Sequence, residues 1–412
     1  MQLGLYWHVV LADMTPLLFL VHRIPFPPNK GDKLRSFHLL KSISKYFDVY
    51  LGAFVDEPQD MQYKEELSQY CKGMMLVPLN PKTAKIRSLK GFFTGEALSL
   101  PYYQSRVLRE WSDNIVSEES IEHALIYSSP MAQYISGQDS TIKKKVADFV
   151  DIDSDKWRQY SMQHGSIMKW IYRREADKLL EFEKNIASAF DATLFVSDME
   201  KKDFDQYAPE SVSKHGFYNN GVDYHYFDPS HHYDNPYEKD VEAITFTGAM
   251  DYWANSDAVC WFADKIFPLI KKSYPNVRFY IVGSNPSKEV LALQKSGEIE
   301  VTGRVEDIRS YIYHARVMVA PLRIARGIQN KVLEAMAMAR PLVATNLALQ
   351  GIEQCDDYEP LSADSSEDFA KQCLKILNDK NMNATPTARD CVRKHYDWES
   401  NLQTIVDLLK AG

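Results

Sequence analysis

The stretch RIARGIQNKVLEAMAMARPLVATN, Arg323 to Asn346, places a glycine, two cations and a carboxylate at the predicted mouth of a helix. Gly327 has no side chain, so the backbone can turn there and a ligand can come close. The helix that follows offers unpaired N–H groups and the positive end of its dipole. Arg326 precedes this helix start and Lys331 lies in its first turn, so the residue types describe an anion site. The plainer reading keeps Lys331 and Arg326 as solvated loop cations and Glu334 as a solvent-facing helix residue.

A second glycine-bearing loop, PPNKGDKLR, follows the first apolar run and enters a helix at Gly31, which is read as a phosphate contact. Lys33 and Arg35 are read either as reaching phosphate or acceptor or as surface charges. DFVDIDSDKW carries Asp151, Asp153 and Asp155 at alternating positions. This spacing invites a metal reading, but the motif closes a strand in a two-domain chain, so no metal is expected there. Asp151 or Asp153 at the acceptor side is one alternative, and helix capping by Asp153, Ser154 or Asp155 is the other. His22 and His38 are read as packed histidines rather than bases.

These residues need a scaffold, and 412 residues suffice for two domains of roughly 200 residues each. LLFLVH, DVYLGAFV, LIYSS, KVADFV and ATLFVS read as strands buried on both faces, alternating with amphipathic helices. The interval from Lys156 to Phe190 reads as helical, with Trp157, Trp170, Leu179, Phe182 and Ile186 among its apolar side. The rhythm restarts with AITFTG, VRFYIVG, IEVTG, RVMVAPL and RPLVAT. The expected architecture is α/β, two doubly wound Rossmann-like domains facing across a cleft, with ligands at the carboxyl ends of the strands. Residues 1–13 are expected to be a poorly ordered extension and 14–222 the first domain. A linker is expected over 223–240, the second domain over 241–392, and over 393–412 a helix packing back on the first. The formal charge of −8 argues against nucleic acid as a partner. Five scattered cysteines without metal spacing suit a reducing cytoplasm.

YNNGVD, FTGAMDYWANSDAV, FYIVGSNP, VTGRVEDIRSYIYHARVMVAPL and GIQNKVLEAMAMARPLVAT follow in that order, and the chain resembles a family 4 glycosyltransferase of the GT-B fold. RIPFPPNKGDKLRSFHLLKSI with VADFVDIDSDKW resembles, more narrowly, the transferases associated with the PEP-CTERM/exosortase system of bacterial exopolysaccharide clusters. The resemblance implies that Glu334 holds the ribose hydroxyls of a nucleotide-sugar. It also implies a first glutamate eight residues earlier that contacts the sugar, where this chain has Arg326. Donor binding then falls to Gly31, Gly248, Arg304, Gly327, Lys331 and Glu334. Lys331, Arg326 and Asp153 are the expected catalytic groups, with Lys33, Arg35 and Asp151 on the acceptor side. The loop AMDYWANSD holds no cation, so Arg326, Lys331 and Arg304 are expected to neutralise the diphosphate.

The implied reaction is retaining, metal-independent and free of any cofactor beyond the nucleotide-diphosphate sugar donor. Its acceptor would be lipid-linked or a nascent polysaccharide, met in the cytoplasm or at the inner membrane. The other readings are a non-catalytic GT-B subunit that binds sugar or scaffolds an assembly, and a sugar-nucleotide epimerase. In NPKTAKIRSLKGFFTGEALSLPYY, Lys82, Lys85, Arg87 and Lys90 alternate with Ile86, Leu89, Phe92 and Phe93. This basic amphipathic segment either rests on an anionic membrane or packs its apolar side into the first domain.

Overall fold

The computed structural model describes residues 14–411 except 29, 136–140, 164, 326, 354, 356 and 383. The expected extension over 1–13 and Arg326 therefore lie outside the described residues. Two compact units form. The first takes the chain through Phe195, then Phe204–Gly216 and the chain from Gln403 on; the second holds Val196–Asp203 and Phe217–Leu402.

The first unit contains β1 (Thr15–Val21), β2 (Phe47–Val55), β3 (Gly73–Pro78), β4 (His123–Tyr127), β5 (Lys144–Val150), β6 (Ala192–Phe195) and β7 (His215–Phe217). They lie in the order β3-β2-β1-β4-β5-β6-β7. The chain runs outward through β2 and β3, then returns beside β1 with β4, so the order reverses between β1 and β4. Such a reversal opens a crevice at the carboxyl ends of the strands. Leu17 to Val21 are fully buried because helices cover both faces of a parallel sheet. β3 escaped the sequence reading although MMLV is an apolar run; it is an edge strand and only half-buried.

The second unit repeats the plan with β8 (Glu242–Thr247), β9 (Val277–Val282), β10 (Ile299–Gly303), β11 (Val317–Ala320), β12 (Leu342–Ala344) and β13 (Leu361–Ser362). Their order is β10-β9-β8-β11-β12-β13, and the ladders among them are parallel. Both units are thus Rossmann-like.

Three sequence expectations change here. The 223–240 stretch read as a linker is packed on the second unit. Tyr237 is buried, its hydroxyl sharing a 2.7 Å hydrogen bond with Thr245 and donating to the Tyr311 carbonyl, while Arg389 donates to the carbonyls of Phe227 and Tyr224. The helical interval is broken into Asp153–Gln163 and Ser166–Ala189, with Gly165 in extended conformation capping the second helix. Trp170, expected on the apolar side, is exposed because the second helix projects beyond the core before Glu175. The last helix is Trp398–Lys410, and its second half belongs to the first unit, where Lys144 donates to the Ala411 carbonyl at 2.6 Å. Cys355 and Cys391 are joined as a disulfide, with Cα atoms 5.9 Å apart.

Candidate functional site

In the second unit the carboxyl ends of β8, β9 and β10 each reach a glycine. The Gly248 N–H donates to the Val282 carbonyl at 3.0 Å, and the Gly283 N–H to Gly303 at 3.1 Å. The strands approach so closely that a Cβ on Gly283 would stand 1.7 Å from the Gly248 oxygen. No side chain fits there. A Cβ on Gly248 would come within 2.8 Å of the Asn255 amide nitrogen.

Asn255 is the residue that organises this end of the sheet. It lies in the first turn of the helix Trp253–Trp261 and is buried. Its Nδ2 donates to the Ala249 carbonyl at 2.9 Å, and its Oδ1 accepts from Lys331 Nζ at 3.0 Å. The loop it spans is fixed at further points. The Met250 N–H donates to the Ser284 carbonyl at 2.8 Å, and Ser256 Oγ to the Met250 carbonyl at 2.7 Å. The Lys331 ammonium also stands 5.2 Å above the Phe246 ring, a cation–π contact. One cation is therefore held from a neighbouring helix and a strand.

Lys331 and Glu334 occupy one face of the helix Asn330–Ala337, three residues apart. Both are half-buried, so each keeps an opening toward solvent while protein encloses it elsewhere. Burial lowers the Lys331 pKa to about 8, against the raising effect of Glu334. Burial likewise raises the Glu334 pKa to about 7, against the Lys331 charge. Each group is thus poised near neutrality, where an arriving anion or hydroxyl donor changes its protonation. Gly327, three residues before this helix, has φ +59°, the left-handed region that favours glycine. Gly248, Gly327, Lys331 and Glu334 all lie in the β8/β11 region of the unit, on loops or helices that follow those strands. Arg304 follows β10, is exposed, and is separated from β8 by β9 in the sheet order.

A cavity of about 510 Å³ opens beyond β11, β12 and β13, lined by Leu322, Arg323, Thr345, Asn346, Leu347, Gln350 and Asp364. Thr345 Oγ1 donates to the Leu322 carbonyl at 2.6 Å, and Asn346 donates twice to Asp364. Its size is that of small-molecule sites in general.

The first unit treats its sequence candidates differently. Gly31 is exposed at the start of the helix Gly31–Ile43, but Asp32 occupies the same first turn. Burial would raise the Asp32 pKa; the His22 hydrogen bond and the Arg23 charge outweigh it and hold the carboxylate well below its usual range. Arg23 lies 2.6 Å from Asp32 and 2.9 Å from Asp56. The helix N-terminus already faces an anion of its own. Lys33 and Arg35, read as acceptor or phosphate contacts or as surface charges, are buried in internal ion pairs. Lys33 pairs with Asp60, and Arg35 grips Asp148 with Nε at 3.1 Å and a terminal nitrogen at 3.3 Å. They brace this helix against β5 and the segment after β2, which corrects both surface readings. His22 stacks on Tyr127 with ring planes 1° apart, in keeping with a packed histidine. His38 is half-buried on the first helix.

Asp151 is half-buried, and Asp153 opens the helix Asp153–Gln163. The turn before them is strained, since Val150, a β-branched residue, adopts φ +68° and Ser128, just past β4, adopts φ +75°. Beneath Asp153 lies Glu183, a fully buried carboxyl that accepts from the backbone N–H and hydroxyl of Ser154 at 3.3 and 2.5 Å. Burial, then the Asp153 charge, push the Glu183 pKa up to about 8. Sequence reading passed over Glu183, although it falls among Leu179, Leu180, Phe182 and Ile186 on the apolar side of its helix. Asn255 was also missed, because WANSD carries three polar side chains in a row and nothing local marks the one that is buried.

Residues 242–379 match the family of glycosyl transferases group 1. Among curated proteins the chain is similar to an uncharacterized 44.6 kDa protein in the cps region of Klebsiella pneumoniae, 20% identical over 377 residues, covering 88% of this chain and 90% of that one. Among solved structures it is similar to Anabaena Alr3699/HepE in complex with UDP and glucose, at TM-score 0.66 and 15% identity, covering 97% of this chain and all of that one. Sucrose-phosphate synthase from Thermosynechococcus elongatus gives TM-score 0.70 at 16% identity, covering 95% and 98%. WaaG, a glycosyltransferase involved in lipopolysaccharide biosynthesis, gives 0.64 at 13%, covering 96% and 100%. At these identities the likeness establishes the fold.

Proposed function

We propose that this chain, with a glycosyl transferases group 1 match over 242–379, is a retaining glycosyltransferase of family 4. It moves a sugar, a hexose in this reading, from a nucleotide-diphosphate sugar to a lipid-linked or nascent polysaccharide acceptor. The observation that carries the reading is the Lys331–Asn255 pair beside Gly248, with Glu334 one turn further along the same helix. Glu334 would accept from the ribose hydroxyls, and Lys331 with the helix N-terminus would face the diphosphate.

As the bond between the anomeric carbon and the diphosphate breaks, charge grows on the leaving oxygen, and a fixed ammonium stabilises that state more than the ground state. The acceptor oxygen forms the new bond on the same face, and its proton passes to the departing phosphate. No paired carboxylates and no metal are required for these steps. The setting proposed is bacterial exopolysaccharide biosynthesis of the PEP-CTERM/exosortase-associated kind. The motifs of the first unit support it, as does the place of the Klebsiella relative in a cps region.

The test has two stages. UDP and GDP should raise the unfolding temperature of the full chain if it binds a donor. A panel of nucleotide sugars with membrane lipid extract should then yield a glycosylated lipid product of unchanged anomeric configuration. Nucleotide stabilisation without transfer to any acceptor in the panel would favour the non-catalytic reading.

A further inference from the structure

Two helical elements of the first unit expose apolar side chains that its core does not use. The short helices Pro81–Ser88 and Lys90–Thr94 leave Ile86 70% and Phe93 91% exposed. The projecting start of the helix Ser166–Ala189 leaves Ile167 76% and Trp170 61% exposed. These are large apolar groups to leave in water, and they are held there by design of the contacts around them. Phe92 stacks on Trp170 with centroids 6.0 Å apart and planes within 7°. Arg174 donates to the carbonyls of Gly91 at 2.7 Å and Glu96 at 3.1 Å, and its guanidinium lies 5.0 Å above Phe92. Arg87 donates to the carbonyls of Pro101 and Tyr102 at 2.6 and 2.5 Å. The two elements therefore form one braced patch.

The charge on this patch opposes that of the chain. Segments 81–94 and 166–174 contain Lys82, Lys85, Arg87, Lys90, Lys169, Arg173 and Arg174 and no acidic residue, whereas the whole chain carries −8. Arg87 and Arg174 brace the fold, and the other five are exposed. Beside them a cavity of about 470 Å³ is lined by Trp170, Arg173, Arg174, Asp177 and Lys178, three cations to one acid. Exposed aromatic and aliphatic tips ringed by long cations match the interface of an anionic bilayer, where rings sit at headgroup level and ammonium groups meet phosphate.

We propose that this patch docks the protein on an anionic membrane surface, with Phe93, Ile86, Ile167 and Trp170 entering the interface and the exposed cations lying against headgroup phosphates. The proposal goes beyond the transfer reading and stands without it, since it needs no donor or acceptor chemistry.

Flotation of the full chain with vesicles tests it, using phosphatidylcholine alone or with roughly a quarter phosphatidylglycerol. Binding should require the anionic lipid and fall as salt rises. The combined Lys85→Gln, Lys90→Gln and Lys169→Gln variant should lose about fivefold in partition per lysine, about a hundredfold in all. Phe93→Ser alters one nearly fully exposed side chain, so its unfolding temperature should match the parent while its partition falls several-fold. Parental partition by both variants, or equal binding to neutral vesicles, would overturn the proposal. So would a failure to float accompanied by self-association that Phe93→Ser abolishes, which would assign the patch to a second copy of the chain.

Discussion

Replacing Asn255 by alanine separates the placing of Lys331 from the folding of the second unit. The change removes the 3.0 Å bond from Lys331 Nζ and the 2.9 Å bond to the Ala249 carbonyl. It leaves the Ser256–Met250 and Met250–Ser284 bonds that also fix the loop. The neutral bond is worth about 1 kcal/mol and the charge-assisted one about 1.5–3 kcal/mol. Because the loop keeps its other anchors and the freed ammonium can turn toward water, the stability loss should be about 1–2 kcal/mol. The catalytic loss should be larger in relative terms. If Lys331 must stand still to meet a growing charge, losing its Asn255 hydrogen bond forfeits most of the charge-assisted term, roughly a ten- to hundredfold fall in kcat/KM. The assay is donor turnover on the parent's preferred nucleotide sugar, with urea unfolding in parallel. An unchanged kcat/KM in a protein destabilised by about 1–2 kcal/mol would show that Asn255 serves only the fold, and the placing argument would fail.

Glu334→Ala should leave the unfolding temperature close to the parent's and cut kcat/KM by on the order of 2–4 kcal/mol, mostly through donor binding; parental kinetics would remove Glu334 from the site. Nucleotide binding should exchange protons in opposite senses. Calorimetry in buffers of different ionisation heat should find uptake by Lys331 above about 8 and release by Glu334 below about 7; Lys331→Met should abolish the uptake and, by removing a charge that lowers the Glu334 pKa, carry the release to higher pH. Glu183→Gln concerns stability. Its folded pKa, raised from 4.5 to about 8, makes the native state bind the extra proton, so the parent loses stability as pH rises between those values. The variant should flatten that slope and gain on the order of a few kcal/mol near neutral pH. Urea unfolding across the window checks this, and an unchanged slope would show that Glu183 is ionised in the fold.

The inner strands of both units were legible from their apolar runs, because a parallel strand buried on both faces needs consecutive apolar residues, whereas the edge strands β3, β7 and β13 were not read. Gly327 and Lys331 at a helix mouth were legible too, since a glycine before a helix start and a cation in its first turn are local features. What local pattern could not supply was direction and partnership. Lys33 and Arg35 look like surface charges in GDKLRSF, yet they face inward because Asp60 and Asp148, 27 and 113 residues away, neutralise them there. A buried charge is tolerated only with such a partner, and the partner is chosen by the sheet order rather than by spacing. Trp170 shows the converse. Its helical periodicity marks it as core, but the helix starts outside the buried core, which it enters at Glu175, and the ring stands largely in water against Phe92. Asn255 reaches Lys331 across 76 residues because β8 and β11 are neighbours. The sequence alone determined which residue types could do the chemistry. The tertiary structure decided which of them meet, because an ion pair or hydrogen bond exists only at contact distance, and contact between remote residues is set by strand order.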